Sequence, residues 1–152
     1  MMDTSDFKHT LITDRSPQEV FQAILNVRKW WTGYYGEKFS GDTKNLNDEF
    51  TFHAADGVHY SRQKLVEVIP GKKIVWLITD STLSFVEKTD EWIGTTVIFD
   101  ISTTGNKTRL VFTHQGLTPQ TECYNSCAPS WTRYLENKLL PLINERSHST
   151  GS

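Results

Sequence analysis

Apolar and polar positions begin to alternate at Phe7. Phe7, His9 and Leu11 fall on one face of an extended segment and Lys8, Thr10 and Ile12 on the other, so Phe7–Thr13 is predicted as a strand. The period then changes. Ser16-Pro17-Gln18-Glu19 places a hydroxyl and a carboxylate three residues apart, with proline at the first helical position. Each side chain can bond the other's backbone amide, and the missing proline N–H costs nothing there. Val20, Phe21, Ile24 and Leu25 continue at helical spacing, so a short helix is expected to end near Asn26. Residues Arg28 to Gly36 carry Trp30, Trp31, Tyr34 and Tyr35 with no clear period and read as a turn of helix and a loop.

The middle of the chain returns to a period of two. Glu49–Ala54, His59–Ile69 and Ile74–Asp80 read as strands, joined by turns at Asp56-Gly57 and Pro70-Gly71-Lys72-Lys73. Leu83–Asp90 is ambiguous. Trp92–Ser102 reads as a strand, and Thr104-Gly105-Asn106-Lys107 turns it into Thr108–His114, with Leu110, Phe112 and His114 on one face. The last element is helical, because Trp131, Leu135, Leu139, Leu142 and Ile143 recur at intervals of three and four. Pro129 either begins or kinks that helix, and Pro141 raises the same question near its end. The order is thus strand, short helix, about six antiparallel strands and one long amphipathic helix. An antiparallel sheet needs one face covered. A long helix across a curved sheet covers it and leaves a cavity between them.

Composition narrows the classes of function. The 152 residues include five Trp, five Tyr and eight Phe, enough to build a core without disulfides or metals. One domain is expected over 1–152, with its core at about 7–145 and a polar tail at 147–152. The longest apolar run, Ile74–Ile78, is far too short to span a bilayer. Sixteen basic and eighteen acidic residues, scattered along the chain, give no support to a nucleic-acid partner. The N-terminus is polar and acidic, unlike a secretory signal, and two cysteines suit a reducing compartment, so a cytoplasmic protein is expected.

Several segments together resemble the START-like (SRPBCC, helix-grip) superfamily, and within it the family named after the C-terminal domain of the activator of Hsp90 ATPase. They are Ser16-Pro17-Gln18-Glu19-Val20-Phe21, Trp30-Trp31, Val68-Ile69-Pro70-Gly71-Lys72-Lys73-Ile74-Val75-Trp76 and Glu91-Trp92-Ile93-Gly94-Thr95-Thr96. Thr108-Arg109-Leu110, Thr113-His114-Gln115-Gly116-Leu117, Trp131 and Tyr134-Leu135 complete the set. The resemblance implies an α+β helix-grip (START/Bet v 1-like) fold: a curved antiparallel sheet wrapped around a long C-terminal helix, with short helices after the first strand. It implies a hydrophobic cavity for a small apolar or amphipathic ligand. It also brings in two alternatives, a co-chaperone or stress-related interaction with a chaperone and a small enzyme using the same cavity. A homodimer is left open.

Cavity candidates are Trp30, Trp31, Phe52, Tyr60, Trp76, Phe85, Trp92, His114, Tyr124, Trp131 and Tyr134. Core packing competes for every one of them, since aromatics bury large areas. Yet indole N–H and phenol O–H groups need partners when buried, which suits a pocket with a few polar anchors. Tyr60, His114, Trp131 and Tyr134 rank first, while Trp30-Trp31 could guard the mouth. An enzyme would use His114 or Tyr60 as acid or base.

His9, His53, His59 and His114 form no HExxH or paired His/Cys motif, so no metal and no cofactor is expected. No phosphate loop and no GxSxG word occur either. Cys123 and Cys127, four apart, read as two buried or half-buried thiols. A disulfide within a helix is awkward, and a redox role would need a lowered thiol pKa.

Overall fold

The computed structural model describes residues 5–84, 86–87 and 89–145; Phe85 and the polar tail at 147–152 lie outside the described residues. Strand β1 (Phe7–Thr13) is followed by helices α1 (Pro17–Leu25) and α2 (Val27–Trp30). Strands β2 (Lys38–Gly41), β3 (Glu49–Ala54), β4 (His59–Ile69), β5 (Lys73–Leu83), β6 (Thr96–Thr104) and β7 (Lys107–Gln115) come next. All seven form one curved antiparallel sheet in the order β1-β7-β6-β5-β4-β3-β2, so the two ends of the strand run meet where β1 pairs with β7. Two register shifts between β4 and β5 interrupt the ladder, the kind of irregularity that bends a strand.

The cap of α1 forms as its residues dictate. Glu19 N donates to Ser16 Oγ at 3.1 Å, and Ser16 N donates to Glu19 Oε1 at 3.0 Å. The C-terminal helix runs from Tyr124 to Asn144 in three stretches: α3 (Tyr124–Tyr134), a π-helical segment (Leu135–Leu139) and α4 (Leu140–Asn144). Pro129 lies inside α3 and does not stop it. Before Pro141 the helix widens, and Leu140 N donates to Leu135 O, five residues back. A wide turn ahead of a residue that has no N–H and a bulky ring is a recognised way to carry helix past proline.

Val20, Phe21, Ile24, Trp131, Leu135, Leu139 and Ile143 are buried against the inward side chains Leu11, Phe50, Phe52, Leu65, Trp76, Val97, Phe99, Leu110 and Phe112. The core is therefore one layer between sheet and helices. Among the described residues no helix is long and apolar enough to cross a membrane.

Two expectations need correction, and one strand has no signal in the sequence. Trp92 is not in a strand: β6 begins at Thr96, and residues 89–94 turn. Gly94, at φ +86°, bends the chain there, and its N–H donates to Ile78 O at 2.8 Å. Strand β2 carries no readable alternation, being four residues long and held mainly by its pairing to β3. Gly41 at its end is obligatory in physical terms, because a Cβ there would lie 2.2 Å from the Glu49 carbonyl oxygen. The turn after β3 is also longer than two residues, with Ala55, Asp56 and Gly57 all at positive φ.

Candidate functional site

A cavity of about 210 Å³ lies between the β3–β4 end of the sheet and the first turns of α3. Four aromatic residues, Trp31, Phe52, Trp92 and Trp131, supply much of its wall. Ala55 and Val58 come from the β3–β4 turn and Ala54 and His59 from the strand ends beside it, Tyr35 from the loop after α2, and Ser126, Cys127, Ser130 and Tyr134 from α3. Tyr35 and Val58 are exposed, which puts the mouth of the cavity at the surface. The two loops of the mouth are tied together, since Ala55 N donates to Tyr35 O at 2.9 Å.

The walls are held by stacking. Trp31 lies flat on Phe52 with ring centres 3.9 Å apart, and on Trp131 at 5.0 Å and Trp76 at 5.7 Å. Trp92 stacks on Trp131 at 5.9 Å and meets the rings of His59 and His114 edge-on at 4.7 and 4.8 Å. Such geometries are favoured by the ring quadrupole and add to what burial supplies.

His114 anchors this stack. Trp131 Nε1 can only donate, so at 3.1 Å the His114 Nδ1 accepts and carries no proton. The ring proton therefore sits on Nε2 and is donated to Thr95 Oγ1 at 2.9 Å, whose own proton goes to the Trp92 carbonyl at 2.6 Å. The chain of bonds fixes both indoles through one neutral imidazole. Burial, and secondarily the nearby His59, push the His114 pKa down to about 3; burial alone takes His59 to about 4. Both rings are neutral at neutral pH. With both nitrogens engaged, His114 orients Trp131 directly and Trp92 through Thr95.

A second bonded unit holds the loop beside Tyr134. Tyr134 Oη donates to Glu37 Oε2 at 2.6 Å, and the amides of Gly33 and Tyr34 donate to the same carboxylate. Burial by itself would raise the Glu37 pKa. The Tyr134 hydroxyl and the amides of Glu37, Tyr35 and Tyr34 outweigh it and hold the carboxyl below its ordinary range. The Tyr134 hydroxyl is pushed up, by burial first and by Glu37 second. Arg133 lies over the Tyr34 and Tyr35 rings and donates to Tyr35 Oη at 2.5 Å. Replacing Tyr134 by phenylalanine is expected to remove about 1 kcal/mol of loop stability. Amide hydrogen exchange at Gly33 and Tyr34 should then quicken about fivefold; unchanged exchange would show that the loop is held by something else.

The sequence candidates fall in several different places. Trp31, Phe52, Trp92, Trp131 and Tyr134 line the cavity. Trp30 and Trp76 are core: Trp30 Nε1 donates to Ile24 O at 3.0 Å, and Trp76 packs against Trp30, Phe50 and Phe99. Both tryptophans of the Trp30-Trp31 pair are buried, so neither stands as an exposed guard. His114 is inward but behind the indoles, and Tyr124 packs at the edge of the core outside the cavity. Tyr60 is misplaced by the expectation. It pairs with His53 in register and its ring meets that of His53 at 4.9 Å on the outer face, while its strand neighbour Ser61 is fully buried. Phe85 lies outside the described residues.

Sequence reasoning missed Tyr35, Ala54, Ala55, Val58, Ser126, Cys127 and Ser130 as lining residues. Small residues on a turn and on the first helical turns carry no periodic signal of their own. His59 was legible only as half of a weak histidine pair with His53, yet the two point to opposite faces: His53 meets Tyr60, and His59 meets Phe52 and Trp92. Among the described residues no cluster of three or more His, Cys, Asp or Glu is placed to hold a metal ion.

The family model described as "Activator of Hsp90 ATPase homolog 1-like protein" matches residues 14–142. No curated protein matches the chain. Among solved structures, the Aha1 dimer from Colwellia psychrerythraea is similar at 23% identity and a TM-score of 0.71, over 92% of this chain and 97% of that one. Protein CV1439 from Chromobacterium violaceum follows at 15% identity and 0.68, over 93% and 99%. CalU16 from Micromonospora echinospora reaches 15% and 0.58, over 93% and 78%. At such identities the structural likeness is one of fold.

Proposed function

Because this chain belongs to the family of activator of Hsp90 ATPase homolog 1-like proteins, whose fold alone does not dictate an activity, we propose from the cavity itself that the protein binds a small, uncharged, largely planar apolar molecule. The observation that carries this reading is a 210 Å³ cavity lined by the aromatic rings of Trp31, Phe52, Trp92 and Trp131. Among the described residues, no lining side chain is acidic or basic except His59, which burial keeps neutral. A charged group buried among these residues would lose its hydration with no lining side chain as counter-ion, since Arg133 reaches only Tyr35 Oη and Ser130 Oγ from outside the cavity wall.

Size sharpens the class. An apolar protein cavity of about 150 Å³ accommodates benzene, whereas pockets for drug-sized molecules run from about 300 Å³ upward. One or two fused rings fit; a sterol or a full fatty-acyl chain does not fit unless the helix moves. Ser126, Ser130 and Tyr35 offer hydroxyls at the wall that can set orientation.

The test is tryptophan fluorescence during titration with indole, naphthol, their carboxylated analogues and a long-chain fatty acid. Saturable quenching by the uncharged bicyclic compounds alone, lost in Ser130→Phe at unchanged melting temperature, is expected. No saturation by any uncharged ring compound would overturn the reading. Family membership also favours a second one, in which the protein acts on a chaperone. Stimulation of Hsp90 ATPase by the purified chain is its measurement, and a flat ATPase rate would end it.

A further inference from the structure

We infer that Cys123 and Cys127 are a redox-active dithiol, oxidised to an intramolecular disulfide by a hydroperoxide small enough to enter the cavity. The inference does not depend on what else the cavity holds.

The two sulfurs lie 2.6 Å apart, both buried, at the start of α3. Cys123 is the residue before the first helical turn, and Cys127 N donates to its carbonyl oxygen at 2.7 Å. Residues four apart in an α-helix have Cα atoms about 6.2 Å apart from rise and radius, inside the range disulfides span. With the sulfurs already turned toward each other, the awkwardness expected of an intrahelical pair does not apply.

The two thiols are also unequal, as a working dithiol requires. Cys123 Sγ receives two donors, the Cys127 thiol at 2.6 Å and the Trp92 indole N–H at 3.4 Å. The Cys127 hydrogen bond is the largest influence and lowers the Cys123 pKa; burial opposes it, Trp92 reinforces it, and Glu91 opposes it. Cys127 is pushed the other way, first because it is the donor and then because it is buried. The Trp92 indole N–H aimed at the Cys123 sulfur favours negative charge there, the arrangement in which Cys123 attacks and Cys127 resolves. Cys127 is part of the cavity wall, the mouth is at the surface, and Cys123 lies directly behind Cys127, so a peroxide reaches the pair from the Cys127 side.

The chemistry balances with the hydroperoxide as the oxidant. The Cys123 thiolate attacks one peroxide oxygen, the O–O bond breaks, and hydroxide (or alkoxide) leaves and takes up a proton. The resulting sulfenic acid is attacked by the Cys127 sulfur, the S–S bond forms and the S–O bond breaks. Water leaves with the Cys127 proton. Two electrons pass from the thiols to the peroxide.

Intact mass spectrometry of the full, folded chain after brief exposure to hydrogen peroxide tests this. The expected product is about 2 Da lighter, two hydrogens lost, takes up no alkylating agent on denaturation, and regains both thiols with dithiothreitol. Cys127→Ser should instead trap sulfenic acid on Cys123, read as a dimedone adduct, and Cys123→Ser should react at least tenfold more slowly. Wild-type protein that keeps both alkylatable thiols, gains oxygen atoms without an S–S bond, or links only between molecules would overturn the proposal. The wild-type measurement needs no variant to fold.

Discussion

Trp31→Ala is expected to lower the melting temperature by roughly 10–15 °C, more than any other single truncation at the cavity. Its ring is 2% exposed and is in ring contact with Phe52, Trp131, Trp76, Trp30, Phe39 and Tyr134. Removing a buried indole costs about 3–5 kcal/mol through lost transfer energy and the space left behind. Each aromatic pair adds about 0.5–1.5 kcal/mol beyond its area. For a chain of this length a kilocalorie moves the midpoint by roughly 2–4 °C. A control is Tyr60→Ala on the outer face, whose loss should be near the ~1 kcal/mol average for a point substitution. Scanning calorimetry decides the matter. A Trp31→Ala midpoint within about 3 °C of the parent, or a Tyr60→Ala loss of equal size, would mean that the indole stack is not the keystone of the fold.

Acid should weaken the protein well before its carboxylates are protonated. His59 and His114 titrate near 6.5 in the unfolded chain and at about 4 and about 3 when folded. As pH falls below 6.5 the unfolded state takes up these protons and the folded state does not, so the equilibrium moves toward unfolding. Above pH 6.5 neither residue contributes a slope. The loss accumulates down to about pH 4 for His59 and about pH 3 for His114. Each histidine contributes up to about 1.4 kcal/mol per pH unit inside its window, so stability at pH 5 should lie on the order of 3 kcal/mol below that at pH 7. Urea unfolding at pH 7, 6.5, 6, 5.5 and 5 measures it. His59→Gln should halve the slope. A stability that is flat between pH 7 and 5 would show that these rings can be protonated in place.

The histidine case shows how far the primary structure could be read. Alternation placed Leu110, Phe112 and His114 on one inward face, and that is where they lie. Nothing in that pattern shows that the ring is pinned between Trp131 and Thr95, because both partners come from segments remote in the chain. Tyr60 failed for a simpler reason. Alternation across His59–Ile69 permits either face, and the choice is made by pairing: His53 opposite Tyr60 and Phe52 opposite Ser61 set the parity. The two thiols are buried, as their sequence context predicts, but spacing alone cannot reveal that the Trp92 indole points at Cys123.

Local chemistry in the chain was enough to determine the capped first helix, the bounds of β1, β3 and β4, the long terminal helix and the resemblance that carried the fold. Each of these follows from hydrogen bonds or apolar spacing within a few residues of one another. Tertiary packing decided which aromatics fill space and which enclose it, that Pro141 is met by a widened helical turn, and that small residues at 54, 55, 126 and 130 leave a gap beside four large rings. A cavity is the difference between the volume that distant segments enclose and the volume their side chains occupy, and no local pattern contains that difference.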